Sequence, residues 1–249
     1  MREARAHSPM PLLRAPLPRM CSTLPQANIL CLHGGGTNEA IMRIQTAKLR
    51  AALKPSAAFH FLEGTVPSSA VDPSVKARFA DQNFYSWYDV EYDRETSSIE
   101  EYRDALLDPS VSFRYPGADA AIERLEQHIA TVKPDALLGF SQGAILITML
   151  TALRLQPGAT PPSWRANILV AGMPVRADSF ASLCGEGAPP LRFPTLIAQG
   201  TEDPFYEWCR RLERSYDAPE LFNYDEGHRF PHKRDSNKAL AESVRRLLL

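Results

Sequence analysis

Ala136-Leu137-Leu138-Gly139-Phe140-Ser141-Gln142-Gly143-Ala144 is the stretch on which the fold turns. Ala136 to Phe140 is a short continuous apolar run, the pattern of a strand covered on both faces. Gln142 to Leu155 is apolar nearly all round, which predicts a helix buried against a sheet. Between them, Gly139 to Gly143 fits G-x-S-x-G. In a strand-to-helix setting that pattern marks a sharp, strained bend, with glycines where the flanking segments approach too closely for a Cβ. Ser141 would then lift its hydroxyl above the carboxyl edge of the sheet, at a helix N-terminus whose dipole favours developing negative charge. Ser141 is therefore the candidate nucleophile.

The same alternation repeats on either side. Asn28 to Leu32, Phe59 to Leu62, Ile168 to Ala171, Thr195 to Ala198 and Leu221 to Tyr224 are further short apolar runs. Helical spacing joins Ile41, Ile44, Leu49 and Leu53 behind an Asn38 cap, and Ile122, Leu125, Ile129 and Val132. Two later helices are expected, one with Phe205, Trp208, Leu212 and Tyr216 on a face, the last with Leu240, Val244, Leu247 and Leu248. Strand and helix alternating in this way predict an α/β fold, a mostly parallel central sheet flanked by helices on both faces.

Composition narrows the function. The 249 residues are 44% hydrophobic and 23% charged, enough for one domain with a sizeable core. A net charge of −1 supplies no positive field, so no nucleic-acid partner is expected. No apolar run approaches about 18 residues, so no membrane span is expected. Cys21, Cys31, Cys184 and Cys209 form no CxxC pair, which points to a reducing, cytoplasmic setting. Residues 1–26 hold five prolines and four arginines against the single acid Glu3, and read as a disordered extension before one domain over 27–249. That stretch lacks the apolar core of a secretory signal; its arginines leave organellar targeting open, and Met20 is an alternative start.

One segment breaks the rhythm. From Asp81 to Asp108, nine acids face only Arg94 and Arg103, interleaved with Phe84, Tyr85, Trp87, Tyr88, Tyr92 and Tyr102. Residues 64–116 read as an insertion that either covers the edge of the site or plugs the core with its aromatics. Trp87 and Tyr88 are its candidate substrate-binding residues.

A serine nucleophile needs a base, an acid behind the base, and donors for the oxyanion. His228, in Glu226-Gly227-His228-Arg229-Phe230-Pro231, follows the last expected strand, where a loop can carry an imidazole over the sheet edge; His232 is the rival. Asp203 follows the strand Thr195 to Ala198, with Asp178 the fallback. Asp203-Pro204 also reads as a helix N-cap, and one carboxylate is not expected to satisfy both duties fully. The order Ser141, Asp203, His228, each after a strand, is that of the α/β-hydrolases. His33-Gly34-Gly35-Gly36 resembles an HGGG loop, which assigns the oxyanion donors to the amides of Gly35, or Gly36, and Gln142, with His33 bracing the loop. A phosphate-binding reading of the glycines fails, because G-x-G-x-x-G would need glycine at Glu39 and no GK[ST] occurs. The chemistry calls for no cofactor, and no HExxH or tight ligand cluster suggests a metal.

Together CLHGGGTN (31–38), GFSQGA (139–144), GTEDPF (200–205) and the EGHRFP stretch around His228 resemble the FSH family of serine hydrolases, over about residues 28 to 248. The resemblance implies an α/β-hydrolase fold and a Ser141/Asp203/His228 esterase or thioesterase acting on a small-molecule ester or thioester; the aromatic residues around Trp87 would favour an apolar acyl group. GFSQG also occurs in acyl-protein thioesterases and lysophospholipases, which are the nearest alternative activity. A non-catalytic hydrolase-fold ligand-binding protein is the alternative from another class.

Overall fold

The computed structural model describes residues 26–248. The basic, proline-rich stretch before Gln26, with Cys21 and the alternative start Met20, lies outside the described residues. The chain order is β1 (Ala27–Leu32), α1 (Glu39–Gln45), α2 (Ala47–Leu53), β2 (Ala57–Leu62), β3 (Val66–Pro67), α3 (Pro73–Arg78), β4 (Tyr85–Ser86), β5 (Glu91–Tyr92), α4 (Ile99–Leu107), β6 (Phe113–Arg114) and α5 (Ala118–Val132). It continues with β7 (Ala136–Phe140), α6 (Gln142–Arg154), β8 (Ala166–Val170), α7 (Ala181–Cys184), β9 (Thr195–Gly200), α8 (Tyr206–Cys209), β10 (Glu220–Tyr224) and α9 (Arg234–Leu248). Six strands form one parallel sheet in the order β10-β9-β8-β7-β1-β2. Helices cover both faces, and this is the α/β-hydrolase architecture.

The alternation of side chains along each strand explains why the central runs are apolar throughout. Leu30, Leu32, Leu137, Leu169 and Ile197 pack on one face with Leu125 of α5 and Leu146 and Leu150 of α6. Their neighbours Ile29, Cys31, Leu138, Ile168, Val170 and Leu196 pack on the other with Leu49 of α2 and Leu240 and Val244 of α9. Every residue of β7, β8 and β9 is therefore buried, whereas the edge strands β2 and β10 are only partly covered. Each fully buried Leu or Ile adds about 1.5–3 kcal/mol, so the centre of the sheet is a strongly stabilised platform for the residues at its edge. In α6 every residue from Gly143 to Ala152 is buried.

Residues 63–117 link β2 to α5 over the carboxyl edge of the sheet. They hold α3 and α4 and two short antiparallel pairs, β3 with β4 and β5 with β6. A separate cluster of Ala105, Leu106, Val111, Phe113 and Trp208 joins this roof to α8. Two helical readings change. The expected helix over Ile41 to Leu53 divides at Thr46, whose hydroxyl donates back to the Met42 carbonyl at 2.8 Å, although Asn38 does cap its start by accepting from the Ile41 amide at 2.8 Å. The expected helix over Phe205 to Tyr216 is a single turn, α8, followed by a 3-10 stretch from Arg210 to Ser215.

Candidate active site

Ser141 lies between β7 and α6 with φ 50° and ψ −116°, a left-handed backbone that a serine adopts only under strain. Its neighbours hold the bend. A Cβ on Gly139 would lie 2.5 Å from the Ala144 amide nitrogen, and one on Gly143 would lie 2.7 Å from the Leu32 and His33 carbonyl oxygens. The Ser141 amide donates to the Val170 carbonyl at 2.9 Å, which pins the bend to β8.

His228 arrives from the loop after β10. Gly200, at the end of β9, makes room for it: a Cβ there would sit 2.3 Å from the Glu226 carbonyl oxygen. The Glu202 amide donates to that same carbonyl at 3.1 Å, and the Tyr224 hydroxyl donates to the Arg229 carbonyl at 2.6 Å. The imidazole lies between the rings of Phe140 and Phe205, with centroids 5.2 and 5.6 Å away. His228 Nε2 is 3.0 Å from Ser141 Oγ, and Nδ1 is 2.6 Å from Asp203 Oδ2. Asp203 is 5% exposed, and its other oxygen, Oδ1, accepts from the Phe205 amide at 2.8 Å. The helix-cap reading of Asp203 is not met: Phe205 stands at the N-cap of α8 with no side chain capping it, and the two Asp203 oxygens serve His228 and the Phe205 amide. The rivals lie elsewhere. His232 pairs with the buried Glu226, and Asp178 accepts from the Ser112 hydroxyl.

The glycine loop runs beside the bend. Among the described residues the amides of Gly35 and Gln142 have no hydrogen-bond partner, whereas the Gly36 amide donates to Ser86 Oγ at 3.3 Å. His33 is fully buried; its Nδ1 meets the Gly34 carbonyl at 2.7 Å and its Nε2 accepts from the Gly64 amide at 2.8 Å, so it braces the loop.

The aromatic pair of the roof divides. Trp87 does not line the cavity; its indole N–H donates to the His33 carbonyl at 2.7 Å and its ring lies 4.9 Å from that imidazole, so it supports the glycine loop from below. Tyr88 does line the cavity, stacked on Tyr115 at 4.6 Å. Two contributors escaped the sequence reading. The Gln142 side chain accepts from the Trp87 amide at 2.9 Å and donates to the Tyr88 carbonyl at 2.8 Å, latching the roof to the bend. Ser86 is the other.

Over Ser141 and His228 opens a cavity of about 580 Å³, walled by Tyr92, Tyr102, Leu106, Met173, Phe205 and Trp208 among others. Burial pushes the Tyr102 hydroxyl up to about 12 and raises those of Tyr88 and Tyr115 as well, so these walls stay uncharged.

A strand-to-helix serine joined through an imidazole to a buried carboxylate, on an α/β-hydrolase sheet, defines a serine hydrolase class of site. A family model described as "Serine hydrolase (FSH1)" matches residues 22–240, and the chain belongs to that family. The probable esterase azaC of Aspergillus niger is 30% identical over 238 residues, 90% of this chain and 86% of that protein. A dihydromonacolin L-(lovastatin nonaketide synthase) thioesterase of Aspergillus terreus is 27% identical over 231 residues, 82% of this chain and 86% of the other. The crystal structure of SOBER1 from Arabidopsis thaliana shares the fold, with a TM-score of 0.53 and 21% identity, across 90% of this chain and all of that one. Among the described residues no helix is long and apolar enough to cross a membrane.

Proposed function

We propose that this serine hydrolase cleaves carboxylic esters or thioesters of an apolar acyl group through an acyl-enzyme on Ser141. The reading is carried by the hydrogen-bonded line from Ser141 Oγ through His228 to Asp203, at 3.0 and 2.6 Å, on a strained bend beneath a cavity with several aromatic and aliphatic walls. Ser141 Oγ attacks the carbonyl carbon while His228 Nε2 takes its proton, and Asp203 holds the imidazole and stabilises the imidazolium. The amides of Gly35 and Gln142 receive the oxyanion; the partner already on the Gly36 amide favours Gly35 over it. Collapse expels the alcohol or thiol, which leaves with the proton from His228. Water then gives its proton to His228 as its oxygen attacks the acyl carbon; the bond from that carbon to Ser141 Oγ breaks as His228 returns the proton to Oγ, and the acid departs. The esterase and thioesterase names of the relatives agree with this chemistry.

Residues 27–249 would form one domain in which 64–116 roof the cavity. The buried free thiols of Cys31, Cys184 and Cys209 support a reducing, cytoplasmic setting. The test is turnover of p-nitrophenyl esters of graded chain length. Ser141→Ala is expected to lose at least about four orders of magnitude in kcat; activity retained in that variant overturns the proposal, and a tight ligand with no burst in the unaltered protein identifies a binding protein instead.

A further inference from the structure

Ser86 stands at the junction of the three segments that surround the oxyanion position. Its Oγ accepts from the Gly36 amide at 3.3 Å, and it would lie 3.5 Å from a Cβ built on Gly35. Ser86 lines the cavity together with Gly35, Ser141, Gln142 and His228. Its backbone is fixed on every side. Ser86 pairs with Val66 across the β3–β4 ladder, and Tyr85 bridges to Thr37 of the glycine loop through two backbone hydrogen bonds, at 2.7 and 3.3 Å. The next residue, Trp87, gives its amide to the Gln142 side chain and its indole N–H to the His33 carbonyl. The Ser86 carbonyl closes on Gly64, where a Cβ would approach it to 2.6 Å.

A hydroxyl can accept and donate at once. The Ser86 oxygen already accepts from an amide, which polarises its O–H, and among the described residues that proton has no acceptor. We propose that the Ser86 hydroxyl donates a third hydrogen bond to the oxyanion, beside the amides of Gly35 and Gln142. The assignment rests on the acyl-enzyme reading of Ser141 and extends it. It also gives the roof a part in the chemistry: the segment that walls the cavity delivers a donor to the reacting oxygen, and the Gln142 latch and the Trp87 indole keep that donor in register. No proton is transferred by Ser86; it stabilises charge that His228 and Ser141 create.

The test compares the unaltered protein with Ser86→Ala, Ser86→Cys and Ser86→Thr. In each, the burst of p-nitrophenol counts titratable Ser141, kcat and KM are measured separately, and an aryl trifluoromethyl ketone labelled with carbon-13 at the carbonyl reports the oxyanion. Ser86→Ala should keep the full burst and KM, lose about 10²-fold in kcat, lose the same factor in ketone affinity, and raise the pH at which the hemiketal oxygen titrates. Ser86→Thr should restore all three, and Ser86→Cys, nearly isosteric and a weak donor, should behave as Ser86→Ala does, which covers the case of an alanine variant that does not fold. An unchanged hemiketal titration in the Ala or Cys variant overturns the assignment to Ser86 and leaves Ser141 standing. Absence of a burst in the unaltered protein overturns the Ser141 reading itself.

Discussion

At the scale of single residues, Asp203 separates chemistry from stability. Its Oδ2 serves His228 and its Oδ1 holds the Phe205 amide. Asp203→Asn keeps an oxygen for that amide but replaces the acceptor facing His228 with an N–H donor or rotates the roles, and the imidazole loses its tautomer. The expected outcome is a fall of about 10⁴-fold in kcat with a thermal midpoint close to that of the unaltered protein, read by ester turnover and calorimetry on the same samples. Asp203→Ala should lose the same activity and about 1 kcal/mol of stability besides. Ser141, Asp203 and His228 were legible because each is announced locally, by glycines, a proline or a strand end, and because their chain order is informative. Ser86 and the Gln142 side chain were not, since their partners lie about 50 positions away in sequence and no spacing encodes them.

At the scale of elements, the six strands and the long helices followed from continuous apolar runs and helical spacing, which the buried sheet imposes on the sequence. The roof did not. Its helices are short, its strands have two residues each, and its aromatics serve cavity, core and loop at once, so no single period survives. One signal was available: Ser98 accepts from the Glu101 amide at 3.1 Å while Glu101 accepts from the Ser97 amide at 2.6 Å, a variant of the S-x-x-E pattern at the start of α4. What joins roof to sheet is the Gln142 latch. Gln142→Ala leaves the Trp87 amide and the Tyr88 carbonyl without partners in a buried setting, at a cost of about 1–3 kcal/mol for each. Amide exchange measured by mass spectrometry should accelerate over residues 84–89 and stay unchanged in β7 and β8; equal protection of the roof in the variant would show that the latch does not hold it.

For the whole molecule, stability on the acid side depends in part on carboxylates held below their ordinary range. The Ser110 hydroxyl, then Arg94, hold Asp108 below the usual carboxylate range, and the Ser74 hydroxyl does so for Asp72. Burial raises Glu226, but the amides of His232 and Lys233 outweigh it and leave it below its ordinary value. A carboxyl whose folded value is depressed contributes stability that is present above its unfolded value and lost as pH falls through the folded one. Urea midpoints should therefore hold between about pH 7 and 6 and drop steadily from about pH 5 downward. A midpoint that rises on acidification would contradict these assignments.

The central claim is that one hydroxyl, lifted on a strained bend and served by an imidazole, is the acceptor of the acyl group. It is tested most directly by treating the protein with a fluorophosphonate and mapping the adduct by peptide mass. The expected result is a single modification on Ser141, absent in Ser141→Ala and strongly slowed in His228→Ala. Modification at another residue, or labelling of unchanged rate in the His228 variant, would contradict the account.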